Sequence, residues 1–124
     1  MVSREMTGRY RTTGKAGGRR MTRERLDNRR HSIVFDFGSK GMRFTGGVSH
    51  YPDGRIGELF LDNRKAGSAI GTQVRDAAIV FSFAVQHGAD AEAIRRALCR
   101  DSQGRALAPL GAALDLLAGE EGAP

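Results

Sequence analysis

Lys65-Ala66-Gly67-Ser68, with Thr72 one turn further on, is the stretch whose residue types and spacing could do chemistry. A lysine, a glycine that permits close backbone approach and two hydroxyls at a helix start suit an anion. A phosphate, a nucleotide or a partner carboxylate would fit such a place. The same residues also read as a tight strand-to-helix turn with an ordinary Ser or Thr cap. The order G-x-x-x-x-G-K-[ST] is missing, so this is not a Walker loop. Arg75 and Asp76 follow on the same helix, either as a fixed pair at an interface or as its solvent-facing end.

The other candidates for chemistry are poorer. His31, His50 and His87 show neither H-x-x-x-H nor H-x-H spacing. Cys99 stands alone, which excludes an internal disulfide and a cysteine-based metal cluster. No metal or cofactor is expected. Arg100 would lower the Cys99 thiol pKa while a helix C-terminus would raise it, and the residue reads as a packing thiol. Ser82, His87 and Asp90 have the types of a hydrolase triad, but no nucleophile elbow or oxyanion loop accompanies them. No catalytic constellation supports an enzyme in its own right.

The charge is unevenly placed. The chain has 124 residues and a net charge of +6, yet residues 1–30 hold ten basic residues against three acids. Residues 31–124 hold ten against eleven. The basic excess therefore sits in the first thirty residues, and the remainder is close to neutral. Arg19, Arg20, Arg23, Arg25, Arg29 and Arg30 would bind a polyanion weakly and without sequence preference, through phosphate contacts and counterion release. Tyr10 is the only aromatic there, so base stacking is poorly supplied. Residues 1–28 have few large apolar groups and read as a disordered tail. Met21 offers an alternative start, and nothing in the Arg/Gly-rich opening resembles a secretory signal. The longest apolar run, Ala77 to Val85, is far too short to span a bilayer. The expected location is cytoplasmic.

These residues must be held by a core of one domain, residues 29–119, with residues 120–124 fraying. His31 to Phe37 alternates with Ile33, Phe35 and Phe37 on one face, predicting a half-buried strand. Gly38-Ser-Lys-Gly41 supplies a hairpin turn. Met42 to Tyr51 is a second strand with Met42, Phe44 and Val48 inward and a bulge or bend expected at Gly46-Gly47. Arg55 to Asp62 is a third strand; apolar Phe60 beside Leu59 and Leu61 predicts cover on both faces. From Ser68 or Thr72 a helix runs to a stop at His87-Gly88, apolar nearly all round and therefore buried. Asp90 caps a second helix, Ala91 to Cys99, with Ile94, Ala97 and Leu98 inward. Arg100 to Ala106 is a charged turn. Pro109 opens a third helix with Leu110, Ala113, Leu114 and Leu117 inward, ending at Gly119. The class is α+β: a three-stranded antiparallel sheet, a buried helix and two shorter helices.

With these elements in place, GRIGELFLDNRKAGS at 54–68 resembles the TSCPD domain. That domain occurs at or near the C-terminus of many vitamin B12-dependent ribonucleotide reductases and as small stand-alone bacterial proteins. RDAAIVFSFAVQHGADAEAIRRAL at 75–98 follows at the family's spacing, and PLGAALDLLA resembles the terminal block of the stand-alone versions. The likeness covers roughly residues 29–118. The Thr-Ser-Cys-Pro-Asp motif itself is absent; CRDSQGRA stands after the second helix. The paired C-terminal cysteines that pass electrons are absent too, and the length leaves no room for the catalytic barrel. The resemblance thus implies a non-catalytic accessory or regulatory module of ribonucleotide reduction. Its partner would be a reductase subunit or a nucleotide, and a homodimer would be one way to cover the strand edges. The alternative is a nucleic-acid-binding protein using the basic tail.

Overall fold

The computed structural model describes residues 22–28, 32–63, 65 and 67–119. Three strands, β1 (Ser32–Ser39), β2 (Met42–His50) and β3 (Ile56–Asn63), form an antiparallel meander in the order β1-β2-β3. Three helices follow: α1 (Ala69–Gln86), α2 (Ala91–Ala97) and α3 (Pro109–Leu117). The α+β class is the one the pattern of elements predicts.

The β1–β2 hairpin turns on Lys40-Gly41, with φ of 53° and 80°, while Gly38 and Ser39 stay in the ladder. The predicted four-residue turn is therefore shorter, because two left-handed residues match the twist of the strands they join. The expected bulge at Gly46-Gly47 is also absent. Gly46 instead makes room for an aromatic ring: a Cβ there would meet the Phe35 ring at 2.4 Å. The register irregularity falls at Ser49/His50.

The core lies between one face of the sheet and the helices. Phe44, Val48 and Leu61 are its most deeply buried large side chains, each contributing about 1.5–3 kcal/mol of apolar transfer. Val74, Ala78, Phe81 and Val85 press onto them from α1, and Ala113 and Leu114 from α3. Among the described residues none packs over the outward-facing Phe60 and Val34, which are 51% and 73% exposed on either side of Gly47. Cover on both faces of β3 is thus not realised, because the helices form one layer. Ile33, expected inward, is 54% exposed at the far end of the edge strand.

The helix α1 is buried along its Val74–Val85 face only. Ile79, Val80 and Phe83 are exposed, contrary to burial all round. The reason is a polar pair. Ser82, at 8% exposure, accepts the Leu59 N–H at 2.9 Å and shares its one proton between the Leu59 carbonyl, 3.0 Å away, and the Ala78 carbonyl of its own helix, 2.8 Å away. Gln86 donates from Nε2 to the Gly57 carbonyl at 2.7 Å. Side chains of α1 thus satisfy backbone groups along the outer edge of β3, and the apolar residues opposite them are turned to solvent.

Residues 22–28 continue the packed body upstream of residue 29. The Glu24 N–H donates to the Gln86 carbonyl (2.8 Å), and its carbonyl accepts the Tyr51 hydroxyl (2.6 Å). Leu26 lies so close over Gly57 that a Cβ there would meet it at 2.6 Å. A short apolar anchor suffices to dock a segment whose composition alone reads as a tail. The predicted tail upstream of Thr22, and the fraying end at 120–124, lie outside the described residues.

The Ser82 contacts carry the first prediction. Ser82→Ala leaves both Leu59 backbone groups buried without that partner and should cost about 1–3 kcal/mol of unfolding free energy. A urea titration would show it as a lower midpoint at unchanged slope; an unaltered midpoint would refute the role assigned to Ser82.

Candidate functional site

The turn between β3 and α1 places the predicted residues together at one end of the molecule. Gly67 adopts φ +75°, which a non-glycine residue would enter only with strain. Ser68 is the N-cap and its Oγ accepts the Gly71 N–H at 3.0 Å. Thr72 therefore lies inside the helix, where its Oγ1 donates to the Ser68 carbonyl at 3.4 Å. Both hydroxyls thus serve the turn itself. Lys65 is exposed, and its backbone N–H donates to Asn63 Oδ1 at 2.8 Å. Arg75 pairs with Asp62 at 2.7 Å across the strand–helix junction, and Asp76 is exposed. The pair considered within the helix is replaced by one between elements, because Asp62 precedes the turn and Arg75 sits above it.

What the turn can do chemically follows. The first turn of α1 offers backbone N–H groups that no helical carbonyl reaches, and the exposed Lys65 lies four residues ahead of it in the chain. Neither group is a nucleophile or base in a catalytic setting.

A second constellation went unread in the sequence. Asp115 of α3 is clamped by two arginines: Arg100 reaches both carboxylate oxygens at 2.8 Å and Arg95 reaches Oδ1 at 2.9 Å. The side chains of Arg95 and Asp115 are each 14% exposed and that of Arg100 21%. Arg95 also grips Glu92 of α2, and Arg100 donates to the Arg95 and Gly104 carbonyls. Arg100 beside it holds the Asp115 carboxyl below the usual carboxylate range, assisted by Arg95. Glu92 is lowered to about 2, by Arg95 first and Arg96 second. The charged turn at 100–106 is accordingly an ordered loop, bridged from Arg100 to Ala106. Only the spacing of Glu92 to Arg95 and Arg96 was a signal for this network; Asp115 lies too far along the chain.

Cys99 is exposed rather than packed, because α2 ends at Ala97 and the thiol falls in the loop. Ala97, expected inward on α2, is exposed for the same reason: α2 has no buried residue, and Ala91, Ile94 and Leu98 pack against the core from its side only partly covered. Of the tail arginines, Arg23 lies over the Phe83 ring at 4.7 Å and Arg25 is exposed. Arg19, Arg20, Arg29 and Arg30, like His31, lie outside the described residues. Among the described residues no cluster of His, Cys, Asp and Glu could hold a metal, and no helix is long and apolar enough to cross a membrane.

Two curated proteins are similar to part of this chain. A vitamin B12-dependent ribonucleotide reductase of Rhodopirellula baltica is 39% identical over 72 residues, 58% of this chain and 7% of the reductase. The enzyme of the same name from Agrobacterium fabrum is 34% identical over 70 residues, 56% of this chain and 6% of its own length. The chain therefore spans well under a tenth of the relatives it matches. No family model matches it, so the likeness that stands is to these reductases rather than to the TSCPD family by name. No solved structure matches.

Acid titration tests the ion cluster. Asp115 and Glu92 have folded pKa values below their ordinary ones. Their contribution to stability is present above the unfolded pKa values and is lost as pH falls through the folded ones. The urea midpoint should therefore drop between about pH 4.5 and pH 2. Asp115→Asn should lose about 2 kcal/mol or more at pH 7 and flatten that acid limb.

Proposed function

We propose that this chain is a non-catalytic accessory or regulatory module of ribonucleotide reduction, acting through protein contacts or a bound nucleotide. The observation that carries the reading is the likeness to two vitamin B12-dependent ribonucleotide reductases over 72 and 70 residues. On this reading the chain works beside a reductase, in the cytoplasm, as the equivalent segment works within one.

Two surfaces would serve that role. Ile79, Val80 and Phe83 on the outer side of α1 offer apolar area of the kind a protein partner covers. The α1 start, with Lys65, Gly67, Ser68 and Thr72, would receive a phosphate of a nucleotide or a carboxylate of the partner. There the ammonium supplies charge, and the backbone N–H groups supply direction.

The test mixes the full-length chain with a vitamin B12-dependent reductase from which the matching segment has been deleted. Binding is read by gel filtration, and nucleotide binding by thermal shift with ribo- and deoxyribonucleoside di- and triphosphates. Association at micromolar concentration is expected, or a nucleotide-specific stabilisation lost in Lys65→Ala. Binding of neither a reductase nor a nucleotide would sink the reading.

A further inference from the structure

A cleft of about 980 Å³ opens between the β1–β2 hairpin and the 100–106 loop, at a different place from the turn that starts α1. Its volume is at the upper end of the range for small-molecule pockets. Phe37 and Leu116 supply apolar surface to it. Five basic side chains line it: Arg95 and Arg100, already committed to Asp115, and Lys40, Arg43 and Arg105.

The three acids of the cleft are spoken for. Asp115 is held by its two arginines. Asp101 Oδ1 accepts the Gln103 and Arg105 backbone N–H groups, each at 2.9 Å, shaping its own loop. Asp36 accepts the Thr45 hydroxyl at 3.0 Å. The cations at the mouth are differently placed. Among the described residues the Arg43 side chain has no ion pair, and Lys40 has none within 4.0 Å, although its charge helps to hold the Asp101 carboxyl below its ordinary pKa. Arg105 is 72% exposed, pairs with Asp101 at 3.7 Å and donates to Gln103 Oε1, so it would meet a ligand with only part of its guanidinium. Positive charge therefore faces the opening from both sides, from the hairpin and from the loop.

Lys40 adds an independent observation. It occupies a left-handed position, φ 53°, in a two-residue turn where Asn or Gly would sit with less strain. A left-handed non-glycine residue is strained, and such positions cluster at ligand clamps and switch regions. Here it sets a lysine at the tip of the hairpin, on the rim of the cleft.

We infer that this cleft binds a small ligand carrying two or more phosphate groups, of the size of a nucleoside di- or triphosphate, bridging Lys40 and Arg43 on one wall to Arg105 on the other. A chain of phosphates can meet cations on both walls at once, and the apolar surface of Phe37 and Leu116 accommodates an attached organic group. Arginine suits the phosphate oxygens because its planar fork donates two parallel hydrogen bonds. The inference stands apart from the likeness to the reductases.

The experiment is calorimetric titration of the full-length chain with ATP, ADP and tripolyphosphate at about 0.15 M salt, where loose surface attraction is screened. The comparison is with Lys40→Asn/Arg43→Gln, which keeps a left-handed-tolerant residue in the turn. Saturable one-to-one binding is expected, weakened at least about tenfold in the double variant while the urea midpoint does not fall. Amide resonances of Lys40, Gly41 and Gly104 should shift with the wild-type titration. Undetectable binding at millimolar ligand overturns the inference. So does binding unchanged in the double variant, whether it resides in the basic N-terminal residues or is lost instead in Lys65→Ala. A preference for single-stranded DNA over all three small ligands overturns it as well. Because no reductase is present, failure here leaves the accessory reading to its own test.

Discussion

The hydrogen bonds that α1 sends to the outer edge of β3 are the constraint on which the rest of the structure depends. A three-stranded meander has two open edges, and each exposes backbone groups that need partners. Ser82 answers both groups of Leu59, and Gln86 answers the carbonyl of Gly57. Once those two side chains are aimed at the edge, the rotation of the helix is set. Val74, Ala78, Phe81 and Val85 turn inward, and Ile79, Val80 and Phe83 turn out. The end of the helix then presents the Gln86 carbonyl where Glu24 can donate to it, and residues 22–28 are drawn against the body.

The C-terminal helices are held on a different principle. The helix α2 has no buried residue, and its Ile94 and neighbouring Leu98 are only partly covered. Charge supplies what burial does not: Asp115, Arg95, Arg100 and Glu92 link α3, α2 and the loop after it through short, mostly shielded contacts. Shielding strengthens such pairs and makes the loss of one partner costly. It also fixes the 100–106 loop opposite the hairpin, so the same ion cluster that ties down the helices builds one wall of the basic cleft. Stability and the candidate binding surface share residues there.

The helix start and the cleft differ in how they could be read from the chain. Lys65, Gly67, Ser68 and Thr72 are neighbours in sequence, so their juxtaposition was legible, as was the choice of Ser68 as a possible cap. That Ser68 and Thr72 spend their hydroxyls inside the turn depends on the capping geometry, which residue types alone leave open. Lys40, Arg43, Arg100, Arg105 and Asp115 are scattered over three elements, with no periodicity among them. Only the folding of the hairpin over the C-terminal loop brings them to one opening.

The sequence by itself determined the order and type of the elements, because alternation in β1 and β2, Pro109 at a helix start and glycines at turns act over a few residues. It also determined that the basic excess lies at the N-terminal end and that the rest is nearly neutral. Tertiary structure decided which apolar residues are covered. Phe60, Val80 and Phe83 have the same chemistry as Leu59 and Phe81, and their exposure follows from a single helical layer and from the polar contacts that orient α1. It decided too that Arg75 pairs with Asp62 and that Arg95 and Arg100 close on Asp115. Coulomb attraction and hydrogen bonding depend on distance in space, and separation along the chain carries no record of it.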